Sequence, residues 1–199
     1  MAYIISADEL KKSLSGYTPD KAEAYHETSA KLADKVYSAA LKDRPEDTVI
    51  LMSGGTASGK SEYVSVYLEG KEVIVLDGTL PTLEGASIKL RSARKAGKLV
   101  EIHSVMPASF PVAFAAFLNR DRKFPVEHFY RTHSSSRRTL LEVAEQFPDV
   151  PIKIVVSTGD PASGMTFTEQ QFADRQQMIE YVKRQQYTEE EIRNHIYYD

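Results

Sequence analysis

The sequence predicts an α/β fold, a parallel sheet with helices on both faces. Three observations carry the prediction. Short aliphatic runs recur along the chain at 49–52, 73–76, 99–105 and 151–157. Stretches with helical periodicity separate these runs. The run Val73-Ile74-Val75-Leu76 is unbroken by polar residues, as in a strand buried on both faces.

The first 47 residues read as a helical N-terminal extension. Ser6-Ala7-Asp8-Glu9-Leu10 resembles a helix start with Ser6 as its cap. A break at 15–20 follows, where Thr18 suits an N-cap and Pro19 the first helical position. Tyr25, Ser29, Leu32, Val36, Tyr37, Ala40 and Leu41 then form a helical stripe suited to covering a sheet. The core is expected over 48–157. Its first strand, 48–53, runs into Gly54-Gly55-Thr56-Ala57-Ser58-Gly59-Lys60-Ser61, which matches G-x-x-x-x-G-K-[ST] at every fixed position. Gly54 and Gly59 allow turns in which backbone N–H groups converge on phosphate oxygens. Lys60 reaches the outer phosphates, Ser61 offers a hydroxyl to Mg²⁺, and a helix over 60–69 aims its positive end at the anion. A glycine-rich turn that binds nothing is the plainer reading, but the strand–loop–helix setting favours nucleotide phosphates.

A second strand, 72–77, ends in Asp77. That edge is where ligands bind in open α/β sheets. Asp77 is suited to holding Mg²⁺ or taking a proton from a substrate hydroxyl, the alternative being an acid that merely turns the chain. Residues 81–97 read as a basic helix capped by Thr82, with Ile88, Leu90 and Ala93 inward and Lys89, Arg91, Arg94 and Lys95 solvated. A third strand covers 99–105. His103 on it is read as structural and left out of the site. The helix 108–118, with Ser109 as cap, leads into Asn119-Arg120-Asp121-Arg122-Lys123-Phe124-Pro125. These cations suit a lid over a triphosphate, since arginine binds oxygens in a fork, and they equally suit a solvated helix end. A long helix spans 126–146; any of its Arg131, Arg137 and Arg138 could face the nucleotide, though most are read as surface. The fourth strand is 151–157. The remainder, 158–199, reads as a loop at 158–165 and polar helices at 170–184 and 189–197 that pack on the core or form an oligomer contact. The order makes this a three-layer, P-loop NTPase-type fold.

Composition narrows the function. The 199 residues are 42% hydrophobic and 27% charged, as expected for a soluble globular chain. The net charge of −3 argues against a large nucleic-acid footprint. With no cysteine, disulfides and thiolate metal sites are excluded. No membrane span or signal peptide is evident, so a cytoplasmic setting with ATP is expected.

On Gly54 to Ser61, Val75-Leu76-Asp77-Gly78-Thr79-Leu80, the basic helix and strand that follow, and Arg120 to Pro125, the chain resembles the zeta toxin family of phosphate-loop small-molecule kinases, over roughly residues 48–157. The resemblance implies ATP and Mg²⁺ as cofactors and a hydroxyl as acceptor, typically on UDP-N-acetylglucosamine or, in relatives, on other nucleotides including NAD. It also implies an antitoxin-like protein as a candidate partner. Lys60 and Ser61 would hold ATP·Mg²⁺, Arg120 and Arg122 would be lid arginines, and Asp77 would match the acid of a Glu-Gly-Thr motif that contacts the acceptor. The chain departs from the family in one respect. The family has a further strand, ending in the general-base Asp, and a helical stretch after the loop. Here only ten residues separate Ser61 from Glu72. Either Asp77 takes the base role or phosphate is not transferred in this way. The expected function is therefore an ATP/Mg²⁺-dependent phosphotransferase with Lys60, Asp77, Arg120 and Arg122 as its catalytic groups. The alternatives are a non-catalytic nucleotide-binding module, or a kinase for nucleic-acid ends supported only by the basic helix.

Overall fold

A computed structural model describes residues 1–198. Six strands form one sheet: β1 (Tyr3–Ser6), β2 (Thr48–Ser53), β3 (Val73–Asp77), β4 (Leu99–Pro107), β5 (Ile152–Asp160) and β6 (Gly164–Glu169). Their order across the sheet is β1-β3-β2-β4-β5-β6. The first five pair in parallel, and β6 folds back antiparallel on β5. The helices are α1 (Ala7–Lys12), α2 (His26–Asp43), α3 (Lys60–Tyr63), α4 (Leu83–Lys95), α5 (Phe110–Leu118), α6 (Val126–Gln146), α7 (Arg175–Arg184) and α8 (Glu189–Tyr197).

Alternation along the strands divides the core. Val49 and Leu51 of β2 and Ile74 and Leu76 of β3 face Tyr37 and Leu41 of α2, Leu90 of α4, Leu140 of α6 and Val182 of α7. Ile50, Met52, Val73 and Val75 face the opposite way, against Tyr63, Val64 and Leu68. The two faces are therefore covered unequally, by α2, α4, α6 and α7 with α1 beside them on one side and by α3 with its continuation on the other. A third cluster joins Phe110, Phe114 and Phe117 of α5 to Phe129 and Tyr130 of α6 and Ile192 of α8, with Ala57 beside them. Local chemistry sets several helix starts. Thr82 accepts from Gly85 N–H at 3.2 Å, Ser109 from Val112 N–H at 3.4 Å, and Thr188 with Glu191 forms a capping box.

The sequence reading needs correction in six places. The helical lead-in begins with a strand: β1 pairs with β3 in the register Tyr3↔Ile74 to Ser6↔Asp77. Four residues near the chain start carry too little pattern to announce a strand whose partner lies far away. Ser6 precedes α1 but makes no side-chain cap, and Thr18 leads only a short 3₁₀ turn, Pro19–Lys21. The helix expected over 60–69 is a single α turn that widens into a π-helical segment, Val64–Leu68. Ile88 faces solvent at 58% exposure, and Ala86 takes the inward position instead. The stretch 158–165 is not a plain loop. β5 continues to Asp160, whose Oδ1 accepts from the N–H groups of Ala162 and Ser163 and so turns the chain into β6. The helix expected from 170 begins only at Arg175, capped by Asp174. No helix among the described residues is long and apolar enough to cross a membrane.

Candidate functional site

The carboxyl ends of β1, β2 and β3 converge on the loop that follows β2. Gly54 in that loop has φ +133°, and a Cβ there would lie 2.3 Å from the Val105 carbonyl oxygen of β4. Gly55 has no room for a side chain either, because the His133 ring would meet a Cβ at 2.3 Å. The only two non-glycine residues with positive φ among those described are Ala57 at 60° and Leu80 at 51°. Both line the same cavity. Left-handed backbone at such residues costs of order 1–3 kcal/mol and persists only where its surroundings enforce it.

Those surroundings are distant in sequence. Thr56 is held at three points: its N–H donates to Thr132 Oγ1 at 3.1 Å, its hydroxyl accepts from Arg120 Nη1 at 3.1 Å, and its carbonyl accepts from His133 Nε2 at 2.8 Å. Ser157, at the end of β5, donates to the Ser58 carbonyl at 2.8 Å. Lys60 is buried, and its ammonium donates to the carbonyls of Gly54 and Gly55 at 3.0 and 2.7 Å. Burial pushes its pKa down to about 8, against the opposing pull of Asp77. Burial likewise lowers Arg120, and the neighbouring Arg122 lowers it further.

Ser61 donates to Asp77 Oδ2 at 2.9 Å. Burial raises the Asp77 pKa more than Lys60 and the Ser61 hydrogen bond lower it. Asp8, in the first turn of α1, lies at the same edge. It pairs with Arg122 and with Lys11, whose Nζ is 3.2 Å from Oδ1. Burial works against the Asp8 carboxylate, but Arg122 and Lys11 together hold it below the usual range. Lys11 is fully buried and lies 5.1 Å from the centre of the Phe124 ring. That ring stacks on His128 at 4.3 Å, and His26 closes the group 5.5 Å from His128.

Two cavities open here. One, of about 390 Å³, runs between α2, α4 and the loop, past Ala30, Ala33, Leu80, Ala86 and Lys89. The other, of about 1030 Å³, is a wider cleft reaching Asn119, Asp160 and Ala162. Ser6, Asp8, Ser61, Asp77, Arg120 and Arg122 line both.

All of Gly54 to Ser61, Asp77, Arg120 and Arg122 thus gather at one sheet edge. Arg131 and Arg138 are exposed, while Arg137 is buried behind His133. His103 lies elsewhere, hydrogen-bonded to Tyr63 and Glu101. Sequence reasoning missed Asp8, Thr132, His133 and Ser157. Asp8 was visible only as a helix-start acid, and nothing local connects α6 with the loop. Among the described residues no group of three or more His, Cys, Asp or Glu side chains could hold a metal ion. The Ser61–Asp77 pair offers one hydroxyl and one carboxylate, hard oxygen donors of the kind that suit Mg²⁺ when phosphates and water complete its shell. No protein-family model matches the chain, and no curated protein matches it.

Proposed function

We propose that this chain is an ATP- and Mg²⁺-dependent phosphotransferase that moves a phosphoryl group to a hydroxyl of a small molecule or nucleotide. The observation that carries the reading is the junction of two cavities over Ser6, Asp8, Ser61, Asp77, Arg120 and Arg122. Group transfer needs two ligands that meet at one phosphorus, and the cations and carboxylates at this junction suit that meeting point.

Each residue has a part in this reading. The loop amides and Lys60 cradle the phosphates. Arg120 and Arg122 answer the charge that spreads over the transferring oxygens. Ser61 and Asp77 would hold Mg²⁺, which when bound offsets negative charge on the phosphates. Asp8 is ionised and lines both cavities where they meet, so it is placed to receive the acceptor's proton as the new P–O bond forms and ADP leaves. In a zeta-toxin-like P-loop kinase that proton goes to the acid of the strand–helix unit absent after Ser61. Here β1 and α1 would supply the acid instead.

The test is mass spectrometry of a metabolite extract incubated with ATP, Mg²⁺ and the protein. A species gaining one phosphate is expected with wild type and not with Lys60→Ala. Asp8→Asn should lower turnover by about 10²-fold or more while ATP affinity stays within about threefold. No phosphorylated product from a wild-type protein that binds ATP would sink the proposal and leave a nucleotide-binding module.

A further inference from the structure

Arg137 is the most anomalous side chain in the fold. It is 3% exposed on α6, and among the described residues no carboxylate pairs with it. Its Nη1 donates to His133 Nδ1 and to the His133 carbonyl, both at 3.2 Å, while Nε is buried with no hydrogen-bond partner. Its guanidinium lies 4.8 Å from the centre of the Phe110 ring and 6.0 Å from that of Tyr187. Rings answer part of a cation's charge, but a buried charge without a counter-ion remains costly to the fold.

What Arg137 does for His133 follows from donors and acceptors. The Thr56 carbonyl can only accept, so His133 Nε2 must carry the hydrogen of the 2.8 Å bond. The guanidinium can only donate, so His133 Nδ1 must present a lone pair to it. The ring is therefore neutral and locked in the Nε2–H tautomer. Burial first, and the Arg137 charge second, hold the imidazole well below its ordinary pKa. The Phe129 ring lies 4.3 Å from His133, and the imidazole fills the space over Gly55. One side chain thus fixes the loop by a hydrogen bond and by contact, and Arg137 fixes that side chain.

We infer that Arg137 is a positioning residue for a polyphosphate on the glycine-rich loop. It sets the His133 tautomer that holds the Thr56 carbonyl, and the bound anion answers its otherwise uncompensated charge. The inference rests on the reading of this loop as a phosphate site. It adds a support from α6 to the residues of the loop itself.

The experiment combines calorimetric titration with ATP and inorganic tripolyphosphate, urea unfolding, and long-range ¹H–¹⁵N spectra of the His133 ring. In the wild type, His133 should remain the neutral Nε2–H tautomer from pH 5.5 to 8. Arg137→Met removes both charge and donor; it should mix the tautomers and weaken both ligands by about tenfold or more. Arg137→Gln retains a donor for Nδ1 but no charge. It should keep the tautomer and still lose several-fold in affinity, more for tripolyphosphate at low salt than at high salt. His133→Gln, which can still donate to Thr56, should bind better than His133→Leu. The expected signature is lost affinity without matching loss of urea resistance in Arg137→Gln, which a merely structural arginine would not give. A protonated or Nδ1–H His133 in the wild type overturns the inference, as does binding within twofold of wild type in Arg137→Gln and His133→Leu. Should Arg137→Met not fold, those two variants and the wild-type spectra still decide. A wild type that binds neither ligand overturns the phosphate-site reading itself, which is a different result from unaffected variants.

Discussion

At Gly55 one missing methyl group decides whether the loop can close. A Cβ there would lie 2.3–2.4 Å from three atoms of the His133 imidazole, which is itself held by Thr56, Arg137 and Phe129. The ring has no free direction in which to retreat. Gly55→Ala should therefore cost about 1–3 kcal/mol in urea unfolding and weaken ATP binding, although position 55 is unconstrained in the motif. Gly78→Ala meets nothing within 4 Å and is the matched control, expected to unfold like wild type. The loop residues themselves were legible in the sequence because their requirements are local: small residues in turns, a lysine and a hydroxyl at fixed spacing. The groups that hold the loop were not. His133 is 77 positions from Thr56 and Arg120 is 64 positions away, and such contacts leave no mark on either segment alone.

Among the elements, β1 and α1 matter most beyond their size. The strand has four residues, yet its register with β3 sets Ser6 beside Asp77 and so carries Asp8 to the site edge. Ile5, 2% exposed, anchors the strand in the main core. Ile5→Ala should lower stability by about 2–4 kcal/mol. It should also reduce turnover more than ATP affinity, because the loop is held by α6 and β5 and not by β1. Equal loss of both would show that the N-terminal unit supports the whole site. Helix boundaries such as 126–146 and 189–197 were readable in the sequence. The two edge strands were not, since their pairing lies outside any local window. The uneven helical cover was equally hidden, because strand hydrophobicity says only that a face is buried, not by what.

For the molecule as a whole, buried histidines tie stability to acid. His128 and His133 are both lowered, burial being the first cause in each, and His128 is pushed down to about 4. Above about pH 7.5 they are neutral in both the folded and unfolded chain, so the fold pays nothing for them. Below that value the unfolded chain takes up protons that the folded one refuses. Stability then falls by up to about 1.4 kcal/mol per pH unit for each such histidine, and for His128 the loss ends near its folded value of about 4. Asp77, raised on folding, opposes this slope in part. Urea midpoints should drop between pH 6.5 and 4.5, and His128→Gln should make the drop shallower. A flat profile would show that these rings take up protons without leaving the fold.

The position of β1 also bears on how the protein is made. Its partner strand follows 71 residues later in the chain. At ribosomal rates of about 5–20 residues per second, the first strand would wait about 4 to 14 s before β3 exists to receive it. Helices α2 and α3 and the glycine-rich loop are all synthesised in that interval. The segment that brings Asp8 to the site is thus made well before the strand that receives it, and it can dock as soon as β3 follows, ahead of β4, β5 and β6.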